Sequence, residues 1–76
     1  MKTMNIKLSS ISDVKELVRI VTAFSGDVDL RSGNYITDAK SILGLLAMNR
    51  RKPIEVIVDR DENADELFSK LEKFKV

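Results

Sequence analysis

The sequence predicts an α+β fold: a four-stranded antiparallel sheet with three helices on one face, in the order βαββαβα. Three observations carry this. Met4, Ile6 and Leu8, and later Ile54, Val56 and Val58, alternate with polar residues as strands with one buried face do. Two stretches, 14–24 and 64–74, place apolar residues at the three- and four-residue spacing of helices with one buried stripe. Clusters of Ser, Gly, Asn and Pro separate these runs, and strands that each keep a polar face imply an antiparallel sheet covered on one side only.

In chain order, the first strand spans Met4 to Leu8. The cluster Ser9-Ser10-Ile11-Ser12-Asp13 follows, and Asp13 with Glu16 has capping-box spacing, although Ser12 could cap equally well. The helix that begins here carries Val14, Leu17, Val18, Val21 and Phe24 inward and Lys15, Glu16, Arg19 and Thr22 outward, with Ser25-Gly26 as its stop. Val28 and Leu30 point inward from a strand over 27–31, and Ser32-Gly33-Asn34 turns the chain into Tyr35-Ile36-Thr37, a hairpin. Tyr35 reads as a packing residue.

The next stretch, Asp38 to Met48, joins a hydroxyl to a dense apolar run. Ser41 is the right residue type for an N-cap, since its oxygen can accept from an unpaired amide of the first turn. A short helix then starts at Ile42 and ends near Met48-Asn49. Ile42, Leu45 and Leu46 share its expected buried face and Leu43 points away. Gly44 costs such a helix roughly 1 kcal/mol relative to Ala, so the helix depends on packing, and the glycine permits a close approach by another element. A phosphate on Ser41 would lie at the favourable end of the helix dipole, add about two negative charges and alter what the adjacent apolar surface binds; the plainer alternative is a cap and nothing more.

Arg50-Arg51-Lys52-Pro53 forms a charged loop, read as solvated, or else as a patch that meets an acidic partner or a phosphoserine. In the strand from Ile54 to Val58, Ile57 breaks the alternation, so it is either covered or an apolar residue on the open face. After the polar turn 59–63, Asn63 with Glu66 again has capping-box spacing. The last helix holds Ala64, Leu67, Leu71 and Phe74 on one stripe with Phe68 beside them, and Lys70, Lys73 and Lys75 near its end.

Composition bounds function. The 76 residues suffice for one domain, 1–76, with a modest core. Thirteen basic against twelve acidic residues argue against a general nucleic-acid binder. There is neither cysteine nor histidine, which removes disulfides, thiolate and imidazole metal sites, cysteine nucleophiles and imidazole bases. No catalytic residue, cofactor or metal is therefore expected. No signal-peptide core or membrane-length apolar run occurs, and a cytoplasmic location is the expectation.

From Gly26-Asp27-Val28-Asp29-Leu30 through Lys40-Ser41-Ile42-Leu43-Gly44 to Glu55-Val56-Ile57-Val58, with the acidic run Asp61-Glu62-Asn63-Ala64-Asp65, the chain resembles HPr, the histidine-containing phosphocarrier of the bacterial sugar phosphotransferase system. The resemblance implies an open-faced β-sandwich. In that family a histidine at the start of the first helix carries the phosphoryl group, followed closely by arginine and proline. Here Ser10 stands in the histidine's place and Ser12 and Asp13 in those of arginine and proline, allowing for a one-residue shift in this loop; no shift supplies a histidine. A phosphoserine is too stable an ester to pass its group on as a phosphoramidate does, and Asp13 would repel it. This degenerate phosphocarrier site is assigned to capping and turn duty.

The resemblance also implies a second site. In relatives from low-GC Gram-positive bacteria, a serine at the start of the short helix is phosphorylated by an ATP-dependent HPr kinase/phosphorylase, and that form binds a carbon-catabolite regulator. Ser41 holds that position, and Ile42, Leu43 and Leu46 match the family's apolar contact residues. The expectation is an HPr-like regulatory or adaptor protein, not an enzyme, with protein partners, no nucleic-acid or membrane partner, and homo-oligomers as an option. The alternative is a degenerate HPr-like interaction or oligomerisation module without phosphorylation. A phosphoryl carrier using Ser10 or an acidic residue is a third reading.

Overall fold

The structure, a computed structural model, describes residues 1–59 and 63–76. The polar turn before the last helix, with Asp61 and Glu62 of the HPr-like run, lies largely outside the described residues. The strands are β1 (Lys2–Ile6), β2 (Val28–Ser32), β3 (Tyr35–Asp38) and β4 (Ile54–Val58), and the helices are α1 (Ile11–Thr22), α2 (Ile42–Leu46) and α3 (Ala64–Lys70). The sheet runs β1-β4-β2-β3 with every neighbouring pair antiparallel. This is the expected α+β architecture, with strand alternation setting which side is buried. Ile54, Val56 and Val58 of β4, Val28 and Leu30 of β2 and Ile6 of β1 face the helices and are closed to solvent. On the opposite face lie Asp29, Arg31, Glu55 and half-buried Ile57, with the Arg31 guanidinium 2.6 Å from Glu55. Ile57 therefore belongs to the open face.

Helix α1 contributes Val14, Leu17, Ile20 and Val21 to the core, while Val18 and Phe24 are only partly covered. Ile20 was not among the expected inward residues. The helix starts three residues earlier than the spacing of Asp13 and Glu16 suggests. Ser10, in extended conformation, is its N-cap, and its Oγ accepts from the Asp13 amide at 3.1 Å. Asp13 turns back to accept from the Ser9 amide at 2.9 Å, so the reciprocal bonding of a capping box forms one step upstream and Glu16 is left free for other partners. The far end also differs: the helix stops at Thr22 and is capped by Ala23 in helical conformation. Gly26 has no positive φ; its bare Cα instead makes room for the Phe24 ring, 2.7 Å from where a Cβ would sit.

Gly33, with φ +61°, opens the two-residue loop of the β2–β3 hairpin, where a side chain would be strained. The expected capping box of α3 does not form, because Asn63 is left-handed (φ 63°) and its side chain makes no capping bond. Beyond Lys70 the chain tightens into a 3₁₀ turn over Glu72–Phe74, which lets Leu71 and Phe74 both stay buried. The last residues then lie along β1: the Lys7 amide donates to Phe74 O at 2.9 Å, the Val76 amide to Asn5 O at 3.2 Å, and Lys75 bridges to Ile6.

Candidate functional site

The stretch from β3 through α2 to the following loop is where the structure concentrates exposed apolar surface. Ser41 caps α2 as expected. With extended backbone (φ −96°, ψ 106°) its Oγ accepts from the Gly44 amide at 3.1 Å, and its carbonyl accepts the first helical bond from Leu45 at 3.1 Å. The Ser41 amide donates to Asp38 O at 3.0 Å, and Asp38 Oδ1 accepts from the Lys40 amide at 2.9 Å, so the turn into the helix is closed by bonds of its own. The Lys40 ammonium reaches across to Phe24 O at the end of α1, 3.0 Å away. Ser41 itself remains half-exposed.

Helix α2 is held from below and from behind. Thr37 of β3 lies directly under Gly44, where a Cβ would come within 2.0 Å of Thr37 Oγ1, and the Tyr35 hydroxyl donates to Gly44 O at 3.0 Å. The close approach that a glycine permits is thus made by β3. Tyr35 acts as a brace and is itself partly exposed. At the other end Arg50 folds back, its Nη1 donating to Leu45 O at 3.0 Å and to Leu46 O at 3.2 Å, which satisfies carbonyls the short helix leaves open. Arg50 is therefore a half-buried cap, not part of a freely solvated loop, and it sits at the opposite end of α2 from Ser41. The charge run by itself does not say which of its cations turns inward.

The buried face of α2 is narrower than the periodicity implies. Leu45 is fully buried and Met48 nearly so, whereas Ile42 and Leu46 are 40% and 45% exposed and Leu43 is 77% exposed. Five residues make little more than one turn, so only the side chain aimed straight at the sheet reaches the core. Ile42 and Leu46 are corrected from core to surface, and Leu43 stands outward as expected.

Of Ser10, Ser12 and Asp13, only Ser10 lines a groove that also reaches the end of α2. This open groove of about 780 Å³ is lined at its α1 end by Lys7, Ser10 and Ile11 and at its α2 end by Leu46, Arg50 and Arg51. The fold thus brings the start of α1 beside Leu46, while Ser12 is exposed and the Asp13 carboxylate is spent on the Ser9 amide. Ile11, half-exposed, extends the apolar surface; an isolated apolar residue among serines gives little sign of this in the sequence. Among the described residues, no group of acidic residues could hold a metal ion and no helix is long and apolar enough to cross a membrane.

No family model matches the sequence, and no curated protein matches it significantly. Solved structures do match. HPr-C-His from Thermoanaerobacter tengcongensis superposes with a TM-score of 0.77 over 96% of this chain and 89% of that one, at 20% identity. The phosphocarrier protein HPr from Bacillus anthracis superposes with a TM-score of 0.72 over 99% of this chain and 94% of that one, at 18% identity. The chain has the HPr fold. At these identities the likeness fixes the architecture, and the chemistry must come from the residues present. The histidine on which a histidine phosphocarrier depends is absent from the whole sequence.

Proposed function

We propose that this protein is an HPr-like regulatory or adaptor protein related to the phosphotransferase system, that it does not carry phosphoryl groups on histidine, and that Ser41 is its switch. The observation that carries this reading is the juxtaposition of Ser41, a half-exposed residue, with exposed Ile42, Leu43 and Leu46 on the helix it caps. Soluble domains usually spend apolar residues of so short a helix on the core; three left outside in five positions form a surface suited to a protein partner.

A phosphate on Ser41 would act on that surface directly. The unmodified hydroxyl holds the Gly44 amide, and α2 has no acidic residue in its first turn to oppose an added negative charge. The phosphorylated side chain would bring three acceptor oxygens to the edge of the Ile42–Leu43 patch and change which partners can desolvate it. At the start of α1, by contrast, the Asp13 carboxylate already occupies the upstream amide, which disfavours a second anion beside Ser10. The proposed partners are an HPr kinase/phosphorylase and a catabolite regulator that reads the phosphoserine form, with the protein working in the cytoplasm.

Intact-mass measurement after incubation with ATP and an HPr kinase, beside Ser41→Ala and Ser10→Ala variants, tests this. The expected result is a gain of one phosphate in the native chain and in Ser10→Ala, and none in Ser41→Ala. No gain in the native chain would overturn the switch and leave Ser41 a helix cap. Labelling from phosphoenolpyruvate and the first phosphotransferase enzyme, with onward transfer, would overturn the exclusion of the carrier function.

A further inference from the structure

The two edges of the sheet are treated differently, and this asymmetry supports an inference independent of Ser41. The β1 edge is covered over its C-terminal end by the chain's own tail, through the Phe74, Lys75 and Val76 contacts with Lys7, Ile6 and Asn5. The β3 edge ends the strand order, and among the described residues no strand pairs with its outer side. An open edge presents unpaired amides and carbonyls that favour another strand.

The register fixes which groups those are. Ser32 and Tyr35 flank a two-residue loop and so form a hydrogen-bonded pair; Arg31 and Ile36 form the next, non-bonded pair, and Leu30 and Thr37 are bonded again. The Ala39 amide donating to Val28 O at 2.8 Å continues the alternation. The amide and carbonyl of Ile36, and the amide of Asp38, therefore point away from the sheet. The Asp38 carbonyl is already taken by the Ser41 amide at 3.0 Å.

We infer that the β3 edge pairs with the β3 edge of a second copy of this chain, about a two-fold axis at Ile36. In that register the two Ile36 residues exchange both of their outward bonds, and each Asp38 amide faces the Gly33-Asn34 turn of the second copy. On the open sheet face Ile36, 58% exposed in the single chain, meets Ile36; on the helical face Tyr35 meets Thr37, an aromatic against a β-branched residue. Asp38 comes opposite the neutral Asn34, so no like charges are opposed. Shifting the axis to Thr37 would demand the Asp38 carbonyl that Ser41 already holds, so the Ile36 register is favoured. A second copy is favoured over an unrelated strand because the edge is complementary to itself. Because the two-fold contact uses the same β3 edge of both copies, it closes on itself at two, giving one eight-stranded sheet.

Sedimentation equilibrium over a range of protein concentrations tests this, with circular dichroism to confirm folding. A concentration-dependent monomer–dimer equilibrium is expected for the native chain. Ile36→Pro removes an outward amide at an edge position that tolerates proline, and should weaken association at least about ten-fold. Ile36→Lys and Ile36→Glu should each be monomeric, because they bring like charges to the axis, whereas an equimolar mixture of the two should associate. A native chain monomeric up to its solubility limit would overturn the proposal and leave any strand at this edge to a different protein. So would a dimer indifferent to all three variants, which must use another surface, or a mixture of the charged variants that stays monomeric. None of these results bears on whether Ser41 accepts phosphate, which the mass measurement reads separately.

Discussion

Two serines cap helices in this chain by the same bond, an Oγ accepting at 3.1 Å from the amide three residues on, and the helices they cap otherwise share little. Ser10 opens a twelve-residue helix with four buried side chains and a carboxylate folded back over its start. Ser41 opens a five-residue helix with one buried side chain, a glycine in the middle and no acid in its first turn. The first helix is held along its length by its stripe, so loss of its cap would loosen only its first turn. The second depends on devices from outside: Thr37 and Tyr35 beneath it and Arg50 behind it. The same residue is thus a fixture in one place and, in the other, the end of an element that a single covalent change could displace.

The sharpest way to break that contrast is at Gly44. A methyl group there must displace Thr37, whose Oγ1 and Cβ would lie 2.0 Å and 3.0 Å from it. Overpacking of this kind costs about 2 kcal/mol, more than the roughly 1 kcal/mol that alanine gains over glycine in a helix. Gly44→Ala should therefore lower stability in urea denaturation, and Thr37→Ala in the same chain should restore most of the loss. A single variant more stable than the parent would mean that helix propensity, not the β3 contact, governs α2.

The caps themselves supply the next test. Ser10→Ala and Ser41→Ala should each cost about 1 kcal/mol. Amide hydrogen exchange should separate them: Ser41→Ala should lose protection at Leu45 and Ala47, whose amides close the one turn of α2, while Ser10→Ala should leave the interior of α1 protected. Equal, local effects in the two helices would remove the physical basis for treating Ser41 as the more consequential serine.

What the sequence discloses about these regions follows from which forces are local. Strand alternation at Ile54, Val56 and Val58 reports sheet side directly, and a serine before an apolar run reports the Ser41 cap, because both depend on neighbours in the chain. Gly44 announces a close approach without naming Thr37 as its author. The burial of Ile42 and Leu46 is misread because a 3.6-residue period assumes a helix long enough to lay a face on the sheet. Around α1, three serines and an aspartate offer several caps of similar chemistry, and the choice of Ser10 rests on where β1 ends. The tail on β1 is made by backbone groups of Phe74, Lys75 and Val76, which carry no side-chain signal, and the Arg50 cap is indistinguishable from its neighbours in a run of cations. For the candidate site, the residue types at 41–46 are legible; their exposure is not.

The smallest expected effect concerns a tie that α1 has and α2 lacks. Glu16 on the outer side of α1 pairs with Lys73 of the terminal 3₁₀ turn and, at 3.4 Å, with Arg19. The hydrogen bond from Lys73, aided by the positive charges of Lys73 and Arg19, outweighs an opposing effect of desolvation and holds its carboxyl below the ordinary value of 4.5. A carboxyl whose folded pKa is depressed contributes stability that is fully present above its unfolded pKa and is lost as pH falls through the folded one. The folded chain should thus lose a small increment of stability as the pH drops below about 4.5, and Glu16→Gln should make urea midpoints less dependent on pH in that window while leaving the exchange of α2 amides unchanged. Because the pair is solvent-exposed, added salt should shrink the effect. If Glu16→Gln altered protection in α2 instead, the two helices would be coupled through the end of α1, where Lys40 reaches Phe24 O, and α2 could no longer be treated as an element that moves by itself.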